Sequence, residues 1–177
     1  MQITVGETLK MAKDAEREIQ RLNRQRLDEA FVYHDKDEEP EMPSTGVPVL
    51  TDKIMDLSAK VRLLRKKAAE ANLTTRLDYP PEGPKLTLAE GITLLSQLLR
   101  ERESVQRLIG EPERKRESFG IAGGYHYRTA TYDLEKMTEY AQQLDESIRK
   151  LRTSIDRANV NTFIELTPEE SEIVNRV

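Results

Sequence analysis

The chain has 177 residues and a net charge of −4, room for one domain or two small ones with a real core, and its mild acidity argues against nucleic acid as the main partner. It has no cysteine, which excludes disulfides and thiolate chemistry. With 34% charged residues, 5% aromatics and no tryptophan, it suits long amphipathic helices better than a mixed sheet protein.

The first helix is expected from about Val5 to about Phe31. Its start phrase, Ile3-Thr4-Val5-Gly6-Glu7, holds Thr-x-x-Glu, the capping box in which a Thr hydroxyl and a Glu carboxylate satisfy two otherwise orphaned backbone donors. Leu9, Ala12, Ala15, Ile19, Leu22 and Arg26 mark its inner face. An acidic loop follows, Asp35-Lys36-Asp37-Glu38-Glu39-Pro40, and Pro40, Pro43, Gly46 and Pro48 are expected to keep residues 35–48 out of helix. The second helix is expected from about Thr51, a plausible cap, to Ala71, with Leu50, Ile54, Leu57, Val61, Leu64, Ala68 and Ala71 in 4-3 spacing.

A linker, 78–85, carries Pro80, Pro81, Gly83 and Pro84. Beyond it the plan begins again. Leu86-Thr87-Leu88-Ala89-Glu90 repeats the start phrase at an offset of 83 and opens a third helix to about Ile109. That helix is rich in leucine, and Leu94, Leu95, Leu98 and Leu99 widen its apolar face beyond a simple seam, which marks it for the bundle centre or an oligomer interface. In residues 118–131, aromatic and β-branched residues flank Gly123-Gly124, a β-hairpin signal. The fourth helix is expected from Asp133 to Ala158. Its stripe, Met137, Ala141, Leu144, Ile148, Leu151, Ile155 and Ala158, repeats that of the second helix at an offset of 87. Both helices close on Ala-Asn (Ala71-Asn72 and Ala158-Asn159), where Asn tolerates the left-handed geometry of a helix end. Residues 73–77 and 160–164 then suit extended structure, and a twofold relation between the copies would pair them as short antiparallel strands. Thr167-Pro168-Glu169-Glu170 starts a last short helix within 167–177.

The fold expected is a single mostly helical domain, 1–177: an antiparallel four-helix bundle or coiled coil built from a duplicated helical hairpin, 3–77 and 86–166, with a short β-hairpin near 118–131.

Signals for chemistry are few. The two histidines, His34 and His126, lie in different loops without metal-ligand spacing, and no catalytic residue, cofactor site or metal site is expected. Gly120-Ile121-Ala122-Gly123-Gly124 lacks the Gly-Lys-Ser/Thr ending of a phosphate loop. Tyr33-His34 and Tyr125-His126-Tyr127 share a composition, so a small aromatic ligand or partner surface forms if the two loops meet. The basic run Arg62-Leu63-Leu64-Arg65-Lys66-Lys67 reads as a solvated helix face, or as a phosphate-binding one. No stretch approaches the roughly 20 apolar residues that span a bilayer, and no signal peptide is evident. Cytoplasmic residence without membrane association is therefore expected.

The start phrase Leu86-Thr87-Leu88-Ala89-Glu90, the arginine-rich turn after it, the tyrosine-containing loop and the closing Ala158-Asn159-x-x-Thr162 resemble the septicolysin-like family of small bacterial helical proteins, as does Asn72-Leu73-Thr74-Thr75-Arg76-Leu77. The resemblance runs from about Val5 to Leu166 and departs from the family at Phe163. It implies an all-helical protein without established catalytic residues; a cytolytic role is not implied for a chain lacking cysteine and a Trp-rich membrane loop. Residues and resemblance together point to a non-enzymatic structural or interaction protein that forms a homo-oligomer, with a protein partner possible. Nucleic-acid association through the basic face of the second helix, and a ligand or enzyme site at the Tyr/His loops, are the alternatives.

Overall fold

The computed structural model describes residues 1–43, 45–119 and 124–176. In chain order these form β1 (Gln2–Thr4), α1 (Val5–Asp28), α2 (Gly46–Thr74), α3 (Leu88–Ile109), β2 (Arg114–Phe119), β3 (Gly124–Thr129), α4 (Leu134–Asn161), β4 (Phe163–Glu165) and α5 (Pro168–Asn175). The fold is mostly helical with short antiparallel strand pairs, as the periodicity indicates.

Three helices start at the capping boxes read from the sequence. Thr4, Thr87 and Thr167 each accept from the N–H three residues on, at 3.1 to 3.2 Å. Glu7, Glu90 and Glu170 in turn accept from the cap's own N–H at 2.7 to 2.9 Å. Six donors that the helices would leave orphaned are thus paired locally.

Several boundaries differ from expectation. α1 stops at Asp28, three residues before Phe31. α2 begins at Gly46, five residues before Thr51, and includes Pro48. A proline in the first turn costs a helix nothing, since its missing N–H has no partner there anyway. Thr51 is therefore not a cap; its hydroxyl donates to the Val47 carbonyl at 2.8 Å. Ala71-Asn72 and Ala158-Asn159 do not end their helices either. α2 runs on to Thr74 and α4 to Asn161, and among the described residues none but glycine has positive φ. The alanine carbonyls instead accept the closing bonds, from the N–H of Thr75 and of Thr162, both at 2.9 Å.

The chain divides into two compact units, Met1–Thr75 with Arg157–Val177, and Arg76–Asp156. In the first, α1 and α2 form a helical hairpin whose core is Ala15, Leu22, Leu50, Ile54 and Leu57, with Ile19 and Val61 against it. Leu9, expected on the inner face, is 43% exposed, while Thr8 is fully buried in its place. α5 packs on α2, where Val174 is buried and Lys67 meets Glu170 at 2.8 Å.

In the second unit, α3 and α4 close on Val105, Ala141 and Leu144, with Leu98 and Ile109 against them. The two cores keep the offsets of the sequence repeat: Ala15 and Leu22 correspond to Leu98 and Val105, Ile54 and Leu57 to Ala141 and Leu144. Arg102 on α3 donates from Nε to Asp145 on α4 at 2.8 Å. The linker is held by Lys85, whose ammonium donates to the carbonyls of Pro80 at 2.7 Å and Pro81 at 3.2 Å, beside a cis Tyr79–Pro80 bond.

The expected pairing of 73–77 with 160–164 is not formed. Each tail pairs with a start phrase instead. In the first unit β4 lies antiparallel to β1, with Ile164 opposite Ile3 and Phe163 opposite Thr4. In the second, Arg76 bridges Thr87 and the Leu77 N–H donates to the Leu86 carbonyl at 2.8 Å. The reason is burial. Paired this way, Leu77 and Ile164 are both buried, at 2% and 5% exposure, next to start phrases that bury Leu88 and Val5 completely. Two tails set side by side would leave the apolar start of each copy uncovered.

Candidate functional site

Two surfaces of the second unit differ from their counterparts in the first, and both hold residues singled out in the sequence.

The first surface is on α3. Its seam toward α4 runs through Leu88, Gly91, Leu95, Leu98, Val105 and Ile109, all buried or half-buried. Leu94 is also half-buried. Ile92 and Leu99 sit seven residues apart on one shoulder of this seam, 41% and 39% exposed, so of the four leucines Leu99 is the one that faces solvent. In the first unit the position equivalent to Leu99 is Glu16, which bridges Arg65 at 2.5 Å over the groove lined by Leu9, Ala12, Lys13, Ala68 and Asn72. Arg152 stands where Arg65 does, at the offset of 87. The second copy thus has an exposed leucine where the first has an ion-paired carboxylate.

The second surface is the β2–β3 ribbon. Arg114 pairs in register with Thr129, Arg116 with Tyr127 and Ser118 with Tyr125. Because side chains alternate across a strand, Arg114, Arg116, Tyr125 and Tyr127 share one face, while Lys115, Glu117, His126 and Arg128 share the other. The Arg114 guanidinium lies over the Tyr127 ring at 4.1 Å from its centre, and that of Arg116 over the Tyr125 ring at 3.4 Å. The two rings remain 57% and 56% exposed. On the opposite face Arg128 meets Glu111 and Glu117, and Lys115 meets Glu117 at 4.0 Å. Among the described residues, Arg114 and Arg116 have no carboxylate at ion-pairing distance, so the charges of the ribbon are neutralised on one face only. The base is fastened to α3 by the Tyr132 hydroxyl, which donates to the Leu108 carbonyl at 2.6 Å, and the Ala130 N–H extends the ladder by donating to the Glu113 carbonyl at 2.7 Å. The ribbon begins earlier than residues 118–131 suggested, since Arg114–Ser118 is polar and carries no apolar alternation. The expected turn at residues 120–123 lies outside the described residues.

Tyr33 and His34 belong to the first unit. Tyr33 is 97% exposed, and His34 Nδ1 sits 2.9 Å from the carbonyl oxygen of Asp35. Tyr125, His126 and Tyr127 belong to the second unit, where the pleat turns the two rings one way and the imidazole the other.

The basic run of α2 is largely engaged within its own unit. Arg65 bridges Glu16, Lys66 reaches Glu70 at 3.9 Å, and Lys67 anchors α5 through Glu170. The titratable groups follow the same pattern. The Thr4 and Thr87 caps hold Glu7 and Glu90 below the usual carboxylate range; Lys67, then the Thr167 backbone, does so for Glu170, and Arg102 does so for Asp145. These shifts trace to helix starts and to a helix–helix tie. Among the described residues no cluster of His, Asp and Glu could hold a metal ion, and no helix is long and apolar enough to cross a membrane.

No protein-family profile matches the chain, and no curated protein does. A solved structure described as a functionally unknown conserved protein from Corynebacterium diphtheriae superposes with a TM-score of 0.68 at 19% identity, covering 93% of this chain and 100% of that one. That similarity establishes a shared fold. The septicolysin-like resemblance rests on the sequence phrases that suggested it.

Proposed function

We propose that this is a non-enzymatic interaction protein of the cytoplasm that self-associates through the exposed shoulder of α3. The observation that carries the reading is the exchange of Glu16, ion-paired in the first unit, for solvent-facing Leu99 in the second. A leucine at such a position loses the ion pair and leaves 39% of its surface in water, which a partner would cover. Ile92 lies two turns away on the same shoulder, and half-buried Leu95, three residues from Ile92 and four from Leu99, adjoins both. A second copy of the chain presents the same patch, as a twofold interface requires.

Sedimentation across the micromolar range tests this. The wild type is expected to sediment as an oligomer and Ile92→Lys/Leu99→Lys as a monomer with unchanged helical content. A monomeric wild type across that range removes the proposal.

A further inference from the structure

The geometry points to the Arg–Tyr face of the β2–β3 ribbon as a binding surface for single-stranded nucleic acid. The whole-chain charge of −4 argues the other way, but it averages over a segregated arrangement. Along the ribbon the order is Arg114, Tyr127, Arg116, Tyr125, each cation stacked on a ring of the opposite strand. Stacking holds the guanidiniums flat and limits their rotamers, so less freedom is lost when they meet an anion. The carboxylate that would compete for them, Glu117, is on the other face with Lys115 and Arg128.

A single strand supplies what this face lacks. Its phosphates provide charge for two unneutralised arginines. Its bases provide flat apolar surfaces for two half-exposed rings, in a sequence-tolerant way. A duplex hides its bases, and an acidic peptide would engage the cations while leaving the rings unused. The inference is independent of self-association, since α3 and the ribbon face contribute different residues.

The test is fluorescence anisotropy of the full chain with labelled single-stranded poly-U and poly-dT oligonucleotides, beside a duplex and phosphatidylserine vesicles. The expected result is single-strand binding with a log–log salt slope of about −1.4, the value for two phosphates. Arg114→Gln/Arg116→Gln should abolish it. Tyr125→Ala and Tyr127→Ala should each weaken it by roughly tenfold. Tyr125→Phe/Tyr127→Phe, which keeps the rings and the ribbon, should retain it, as should Lys115→Gln on the opposite face. The inference is overturned by absence of binding up to about 100 µM, the weak end of non-specific affinity. It is equally overturned by binding that survives the arginine changes, by loss in the phenylalanine variant, or by preference for duplex or vesicles.

Discussion

Gly91 tests the packing of the second unit most directly. A Cβ built on it would lie 2.2 Å from Leu77 Cδ1 and 3.6 Å from Leu151 Cδ1. Leu77 is 2% exposed, and Leu88 and Leu151 are fully buried, so the leucine has little room to turn away. In an exposed helix, Gly→Ala would stabilise by about 1 kcal/mol. Overpacking a core costs about 1–3 kcal/mol. Gly91→Ala is therefore expected to destabilise by up to roughly 2 kcal/mol, the cost of displacing Leu77 outweighing the gain in helix propensity. At about 2–4 °C per kcal/mol for a chain of this size, the melting temperature should fall by several degrees. Leu77→Ala alone should cost about 2–5 kcal/mol through the cavity it leaves. In that background the clash is gone, and Gly91→Ala should become stabilising. Urea denaturation of the four species, followed by circular dichroism at constant m-value, gives the coupling energy, expected at about 1–3 kcal/mol. If Gly91→Ala stabilises the wild type as much as it stabilises Leu77→Ala, the tail strand does not seal this helix start and the reasoning fails.

The caps give two further predictions. Thr4→Ala and Thr87→Ala should each cost about 1 kcal/mol in urea melts, with Ser at either position restoring most of it; a change indistinguishable from zero in both would show that the boxes are not formed in solution. Glu7, Glu90 and Glu170 are held below the ordinary carboxylate range in the fold, so on acidification the unfolded chain takes up protons first. Stability should then be fully present above the unfolded glutamate value of about 4.3 and fall as pH drops through the lower folded values. Glu90→Gln should flatten that slope, and a wild-type profile level from neutral pH to about pH 3 would contradict it.

Features set by a few neighbouring residues were legible in the sequence. Thr4–Glu7, Thr87–Glu90 and Thr167–Glu170 announce three helix starts because both partners of each box lie within one turn. The stripe from Ile54 to Leu64 and its counterpart from Ala141 to Leu151 announce buried seams for the same reason. Pro48 misled because a proline breaks a helix interior but is accepted in a first turn, and sequence alone does not say which turn it occupies. Asn72 and Asn159 misled in the opposite sense: they can close a helix, yet the chain stays helical until the next strand is within reach. The partner of each tail was hidden because 73–77 and 160–164 are alike, and the choice between them rests on which pairing buries Leu77 and Ile164. The Arg–Tyr ladder left a trace in Arg114-Lys115-Arg116 and Tyr125-His126-Tyr127. Its meaning depends on the cross-strand register, which those triplets do not contain. The exchange of Glu16 for Leu99 was readable from the offset of 83, although the ion pair with Arg65 that gives it weight was not.

The two tail pairings are chemically alike but differ in how much chain must be gathered to make them. Arg76 meets Thr87 across a separation of 11 residues, whereas Phe163 meets Thr4 across 159. For flexible chains, that difference in loop length amounts to about 2 kcal/mol of closure entropy. The second unit can seal its helix start almost as soon as its linker forms. The first holds an open strand edge until nearly the whole chain has been gathered, and during that interval β1 is available to the tail of any other molecule. Pulse-labelled hydrogen exchange should see the Leu77 amide protected before that of Ile164. Two tails that cover equivalent helix starts are thus separated in their order of assembly by connectivity.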